Sequence, residues 1–137
     1  MSFVVDASMT LAWLLHDERS DGSQAVLRRV SVEGATVPSI WRLEVGNALR
    51  SAVRRRRCTE KYADDCLRRL EVVRIAVDSQ TNERAWKETW ALARDCSLTV
   101  YDAAYLELAA RLQCMLATRD AVLLNAARKI GLETLSG

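Results

Sequence analysis

Five short apolar runs punctuate this chain: Phe3-Val4-Val5, Ala35 to Ser39, Val72 to Val77, Met115 to Thr118 and Leu132 to Leu135. None exceeds six residues, and segments of helical spacing lie between them. Runs this short and apolar suit strands buried on both faces. Strands alternating with helices favour a parallel sheet, because a parallel connection needs a crossover long enough to hold a helix. The expected fold is α/β: a short five-stranded parallel sheet flanked by helices on both faces. The 137 residues fit one domain, 1–137, with a single core.

The helices are placed by periodicity and by their stop signals. The first spans Ala7 to Leu15. After a loop at Arg19 to Gly22, a second runs from Ser23 to Val32 and ends at Gly34. Pro38 keeps the second strand brief. Trp41, Val45, Ala48, Leu49 and Ala52 then repeat at the spacing of one apolar face, and this helix runs into Arg54-Arg55-Arg56-Arg57. Thr59 opens a helix with Tyr62, Ala63, Cys66, Leu67 and Leu70 on one face. Asn82 to Asp95 is expected as one helix burying Ala85, Trp86, Thr89 and Ala93. Val100 to Gln113 buries Tyr105, Leu106 and Ala109, and Ala121 to Ile130 is closed by Gly131. The first helix carries Leu11, Trp13, Leu14 and Leu15, too many for one side. Part of that surface is expected to be exposed and to form an interface, with a homodimer as the default assembly.

Half the residues are apolar, with one Pro and five Gly. No run approaches the roughly 18 apolar residues of a membrane span, and no secretory leader is visible, so the expected address is cytoplasmic. Cys58, Cys66, Cys96 and Cys114 form no CxxC pair, and His16 is the only histidine. That argues against structural zinc and for reduced thiols. Net charge is +2, but Arg outnumbers Lys by 17 to 3. The planar guanidinium suits phosphate; a codon bias toward Arg explains the ratio equally well.

Four carboxylates carry the chemistry: Asp6 in FVVDAS, Glu44 in WRLEVGNAL, Asp102 in TVYDAAYLELA and Asp120 in LATRDAVLLNAA. Asp6 and Asp120 end the first and fourth strands, at the edge where open parallel sheets bind ligands. Taken singly, Asp6 and Asp120 suit helix N-caps, and Asp102 suits a capping box with Thr99. Glu44 is placed past the first turn on an apolar face, where a carboxylate is costly unless paired, for example with Arg50, or bound to metal. Grouped, such charges repel by ~4 kcal/mol per pair at about 4 Å and an effective dielectric near 20. A hard divalent cation, Mg²⁺ or Mn²⁺, offsets that repulsion, and an all-oxygen donor set selects it over zinc. With His16 alone, Ser-His-Asp and Cys-His chemistry lack their base. Metal-assisted hydrolysis of phosphodiesters remains.

In VVDAS, LEVGNAL, YDAAYLELA and LATRD, in that order and along the whole chain, the sequence resembles the PIN-domain ribonucleases, and more narrowly the VapC toxins of bacterial toxin–antitoxin pairs. The resemblance implies a PIN-like three-layer sandwich and Mg²⁺- or Mn²⁺-dependent cleavage of RNA. It implies a cognate antitoxin as partner and no attachment to membrane. It places Asp6, Glu44, Asp102 and Asp120 in the catalytic pocket. Asp6, Asp102 and Asp120 are its metal ligands, and Glu44 binds metal or orients the attacking water. Ser8 and Thr118 match small hydroxyl positions beside the pocket, and Asn47 matches a bracing position. The arginine run fits a phosphate-binding rim, with Arg50, Arg54 and Arg55 as RNA contacts; it equally fits a helix C-terminus stabilised by cations. Trp13, Trp41, Trp86 and Trp90 read as core or partner-interface residues.

Three other classes compete. A phospho-receiver signalling module would use Asp78 as phospho-acceptor and Thr118 as switch, but it needs paired acids after the first strand and a Lys after the fifth. A haloacid-type phosphatase needs DxD, and Asp6 is followed by Ala7-Ser8. A nucleic-acid-binding module without catalysis is the third.

Overall fold

The computed structural model describes residues 3–137. Its elements in chain order are β1 (Phe3–Val5), α1 (Ala7–Leu14), α2 (Asp21–Glu33), β2 (Ala35–Val37), α3 (Trp41–Arg54), α4 (Glu60–Glu71), β3 (Ile75–Val77), α5 (Thr81–Arg84), α6 (Glu88–Cys96), α7 (Val100–Leu112), β4 (Met115–Ala117), α8 (Ala121–Lys129) and β5 (Thr134–Leu135). The strands form one parallel sheet in the order β3-β2-β1-β4-β5. Val4 is central, paired with Thr36 on one side and Leu116 on the other, and all of β1 is buried. The chain steps outward from β1 to β3, then returns to place β4 on the other flank of β1. With right-handed crossovers, that reversal sends α1–α4 to one face and α5–α8 to the other. The packing agrees: α3 lies on α1 and α4, while α7 lies on α6, α8, β1 and β4.

This order also removes the receiver reading, because a receiver sheet runs 2-1-3-4-5. Asp78 is occupied elsewhere. Its carboxylate takes a two-pronged ion pair from Arg111, at 3.0 and 2.8 Å, and Arg111 also bonds the buried Glu107 at 3.0 Å. The cluster ties the end of edge strand β3 to α7.

Several boundaries differ from the sequence reading. α2 begins at Asp21, two residues early, because Ser20 and Ser23 cap each other reciprocally. It ends at Gly34, whose φ of +83° would strain any residue bearing a Cβ. β3 covers only Ile75–Val77, since α4 runs on to Glu71 and Val72 closes it. The helix expected over Asn82 to Asp95 is two. It breaks at Lys87, whose φ/ψ of −121°/−96° is not helical. Thr89 and Ala93 are buried as expected, but Trp86 is 89% exposed and Trp90 is also exposed. Small Thr89 and Ala93 let α6 lie close on α7; Trp90, one position from Thr89, faces solvent, and Trp86 lies in the turn before α6.

The first helix corrects another expectation. Leu11, Trp13, Leu14 and Leu15 are all buried. α1 is covered by α2 and α3, and Tyr62 of α4 donates its hydroxyl to the Leu14 carbonyl. A helix apolar all round is simply a buried one. The argument for a dimer from an exposed α1 therefore fails. The four cysteines are free thiols, as expected.

Candidate active site

The strand order reverses between β1 and β4, and open parallel sheets bind ligands outside the C-terminal strand ends at such a point. Asp6 continues the ladder beyond β1, its N–H donating to the Ala117 carbonyl at 3.2 Å. Its side chain caps α1 by accepting the Met9 N–H at 2.9 Å. It also accepts hydroxyl bonds from Ser8 at 2.7 Å and Thr118 at 2.5 Å. Each hydroxyl is itself anchored: Thr118 Oγ1 accepts the Asp120 N–H and Ser8 Oγ accepts the Arg119 N–H, both at 3.0 Å. The β1 and β4 ends are thus sewn together around one carboxylate. Asp120 caps α8 through a single oxygen, Oδ1, which accepts the Val122 and Leu123 N–H groups at 2.8 and 3.2 Å.

The other two acids come from the two helical layers. Asp102 sits in the first turn of α7, its N–H capped by Thr99 at 3.1 Å. Glu44 lies in the first turn of α3, nearer the helix start than the periodicity implied, because α3 begins at Trp41. Its Oε1 accepts the Tyr105 hydroxyl of α7 at 2.5 Å. Arg50 is not its partner. That guanidinium bonds Glu60 at 2.7 and 2.6 Å.

Electrostatics binds the four into one group. Burial pushes Asp6 up to about 6, against the pull of its hydrogen bonds, and the charge of Asp120 adds to the rise. Asp102 is raised by burial and then by Asp120; Glu44 is raised by burial, against its Tyr105 bond, with Asp102 adding to the rise. Repulsion therefore runs from Asp6 through Asp120 and Asp102 to Glu44. Among the described residues, none of the four is ion-paired with a base. Neighbouring carboxylates without a cation, with Asp6, Glu44 and Asp102 raised, suit a hard divalent ion, and every donor is an oxygen. Among the described residues no three His, Cys, Asp or Glu side chains stand ready as a metal cage. The hydrogen bonds explain this in part: both Asp6 oxygens face hydroxyls, and Glu44 Oε1 faces Tyr105. The fit rests on donor chemistry and unneutralised charge.

A family model for the PIN domain matches residues 3–129, nearly the whole chain. The chain belongs to the PIN-domain family. Ribonuclease VapC3 of Pyrobaculum aerophilum is 32% identical over 120 residues, covering 88% of this chain and 90% of that protein. The crystal structure of PAE2754 from Pyrobaculum aerophilum superposes with a TM-score of 0.71 at 24% identity, covering 98% of this chain and 90% of that one. VapBC2 of Rickettsia felis, bound to a fragment of its promoter DNA, superposes at 0.68 with 12% identity, covering 100% and 99%. The last two show the fold.

In this PIN domain the remaining candidates separate. Ser8 and Thr118 brace Asp6. Asn47 is exposed on α3 and has no side-chain bond among the described residues. Arg57 is engaged by Asp17 and Glu18 at 2.9 and 2.6 Å, whereas Arg54 and Arg55 are exposed at the end of α3. Tyr105 was read only as core. Its position three residues after Asp102, on the same helix row, is the signal that could have found it.

Proposed function

We infer that this chain, residues 1–137 acting as one nuclease domain, is a divalent-metal-dependent ribonuclease and the toxin of a toxin–antitoxin pair. One observation supports the reading: four carboxylates, each repelled by the next and none ion-paired with a base among the described residues, lie about the point where the strand order reverses. The chain's similarity to VapC3, a ribonuclease by name, supplies the substrate class.

Asp6, Asp102 and Asp120 would hold Mg²⁺ or Mn²⁺. When bound, the ion supplies positive charge beside the scissile phosphate and acidifies the attacking water. Glu44 is the group suited to orient that water and take its proton, since its carboxyl is raised toward the working pH range. Ser8 and Thr118 fix Asp6, and Thr99 bonds Asp102 at the start of α7. Arg54 and Arg55 lie at the RNA-binding rim, with Arg50 contributing only when it leaves Glu60. The partners of this reading are RNA and a cognate antitoxin encoded beside the gene, with a homodimer resting only on two-fold pairing as the commonest closed symmetry, and the setting is cytoplasmic. Among the described residues no helix is long and apolar enough to cross a membrane.

Purified protein incubated with total RNA should cut it in Mg²⁺ or Mn²⁺, stop in EDTA and resume when the ion is restored. Cleavage that survives chelation removes the metal from the reading.

A further inference from the structure

Tyr105 is the largest fully buried side chain among the described residues, and it is 1% exposed. A phenol so deep in a core needs a partner for its hydroxyl. Its partner is Glu44, which belongs to the opposite helical layer: α3 follows β2 on one face of the sheet, and α7 precedes β4 on the other. The bond therefore reaches past the sheet edge at the point where the acids gather.

We propose that Tyr105 is a positioning residue for Glu44, holding its carboxylate in one orientation through the 2.5 Å phenol–carboxylate hydrogen bond. This rests on the ribonuclease reading for its meaning in catalysis. Glutamate has three rotatable bonds, and Glu44 is only half-buried, so packing alone leaves its head group free to turn. The neighbouring charge of Asp102 repels it. The phenol opposes both effects. Its ring is locked by burial, and its proton stays in place because burial and the surrounding carboxylates raise its pKa far above the ordinary range. One oxygen, Oε1, is thereby fixed, and Oε2 is left without a protein donor among the described residues. Asp102 and Tyr105 are three residues apart on one helix, so α7 sets two of the four acids at once: one as its own side chain and one by grip.

The test is Tyr105→Phe, which keeps the ring and removes only the hydroxyl. The expected result is a fall in kcat of about 10- to 100-fold, the usual scale for a partner that orients a functional side chain. KM for RNA and the thermal midpoint should stay near wild type. In a Glu44→Ala background the same change should cost nothing further, because Tyr105 acts through Glu44. Wild-type turnover in Tyr105→Phe, or an equal loss in both backgrounds, overturns the proposal. Crystal structures of the metal-free proteins give a readout that needs no activity. Glu44 should occupy one orientation against Tyr105 in the wild type and spread over several in Tyr105→Phe; an unchanged Glu44 overturns the proposal. If the wild-type chain cuts no RNA at all, the ribonuclease reading falls, and the crystals still decide whether Tyr105 holds Glu44.

Discussion

Thr118 donates its hydroxyl to Asp6 at 2.5 Å while accepting the backbone N–H of Asp120 at 3.0 Å, so one hydroxyl joins two acids of the pocket. Valine has nearly the same shape and can do neither. Thr118→Val should cost about 1–3 kcal/mol in chemical denaturation, the usual range for stranding buried polar groups. It should also move the acid limb of the activity profile to higher pH, because the Thr118 bond holds the Asp6 pKa down. Thr118→Ser should restore both. A valine variant with an unshifted profile would show that Asp6 does not need this hydroxyl.

Asp6→Asn should abolish cleavage yet leave the metal-free fold as stable as wild type, or more so, at neutral pH. The sign follows from the raised pKa. The folded protein holds the Asp6 proton up to about 6, against 3.8 for the reference carboxyl. Stability is therefore greatest below pH 3.8, declines as pH rises, and carries its full penalty above about 6, a loss of about 3 kcal/mol from this group. Asparagine has no such titration. Urea midpoints of the two proteins, compared from pH 4 to pH 8 in EDTA, should diverge in favour of the variant as pH rises. Convergence with rising pH contradicts the assignment.

Adding Mn²⁺ at about ten times its dissociation constant should stabilise the wild type by about 1.4 kcal/mol, seen as a higher thermal midpoint. Asp102→Asn should lose that response together with cleavage, while its metal-free midpoint holds. A midpoint indifferent to Mn²⁺ in the wild type would count against a bound divalent ion.

Arg111→Ala leaves Asp78 without its cation, and Glu107 with only Arg84 at 3.6 Å, in a mostly buried cluster. Removing one partner of such a group costs about 3–5 kcal/mol. Turnover per folded molecule should not change, since the cluster holds edge strand β3 and lies outside the acid pocket. A well-folded Arg111→Ala enzyme with lost turnover would place this cluster in the chemistry after all.

Arg54→Ala with Arg55→Ala should raise KM for RNA and flatten its salt dependence by about one to two units of slope, with kcat retained. An unaltered salt slope would leave these two arginines as a solvated helix end.

The fold and the acids were legible because both depend on local signals. Short β-rich runs ending in Asp6 and before Asp120 gave strand ends, and helical spacing put Glu44 and Asp102 on inward rows. What stayed hidden depends on packing between distant segments. Spacing alone marked Trp86 as buried, but small Thr89 and Ala93 proved the better fit against α7. Leu11, Trp13, Leu14 and Leu15 implied an exposed side only if α1 had a single neighbour, and it has several. Arg50 had several carboxylates within conceivable reach, and only the turn between α3 and α4 selected Glu60. Tyr105 and Glu44 are 61 residues apart, a meeting that periodicity cannot announce.

The insertion of β4 directly beside β1 has a consequence for synthesis. Asp6 is synthesised 112 residues before Thr118, and Thr118 bonds it only when the fourth strand has found the first. A chain still growing on the ribosome thus carries its acids apart, with no pocket to close around an RNA. The machine that makes this protein is itself built largely of RNA, and on the ribonuclease reading it meets no assembled acid site until the fourth strand has paired with the first.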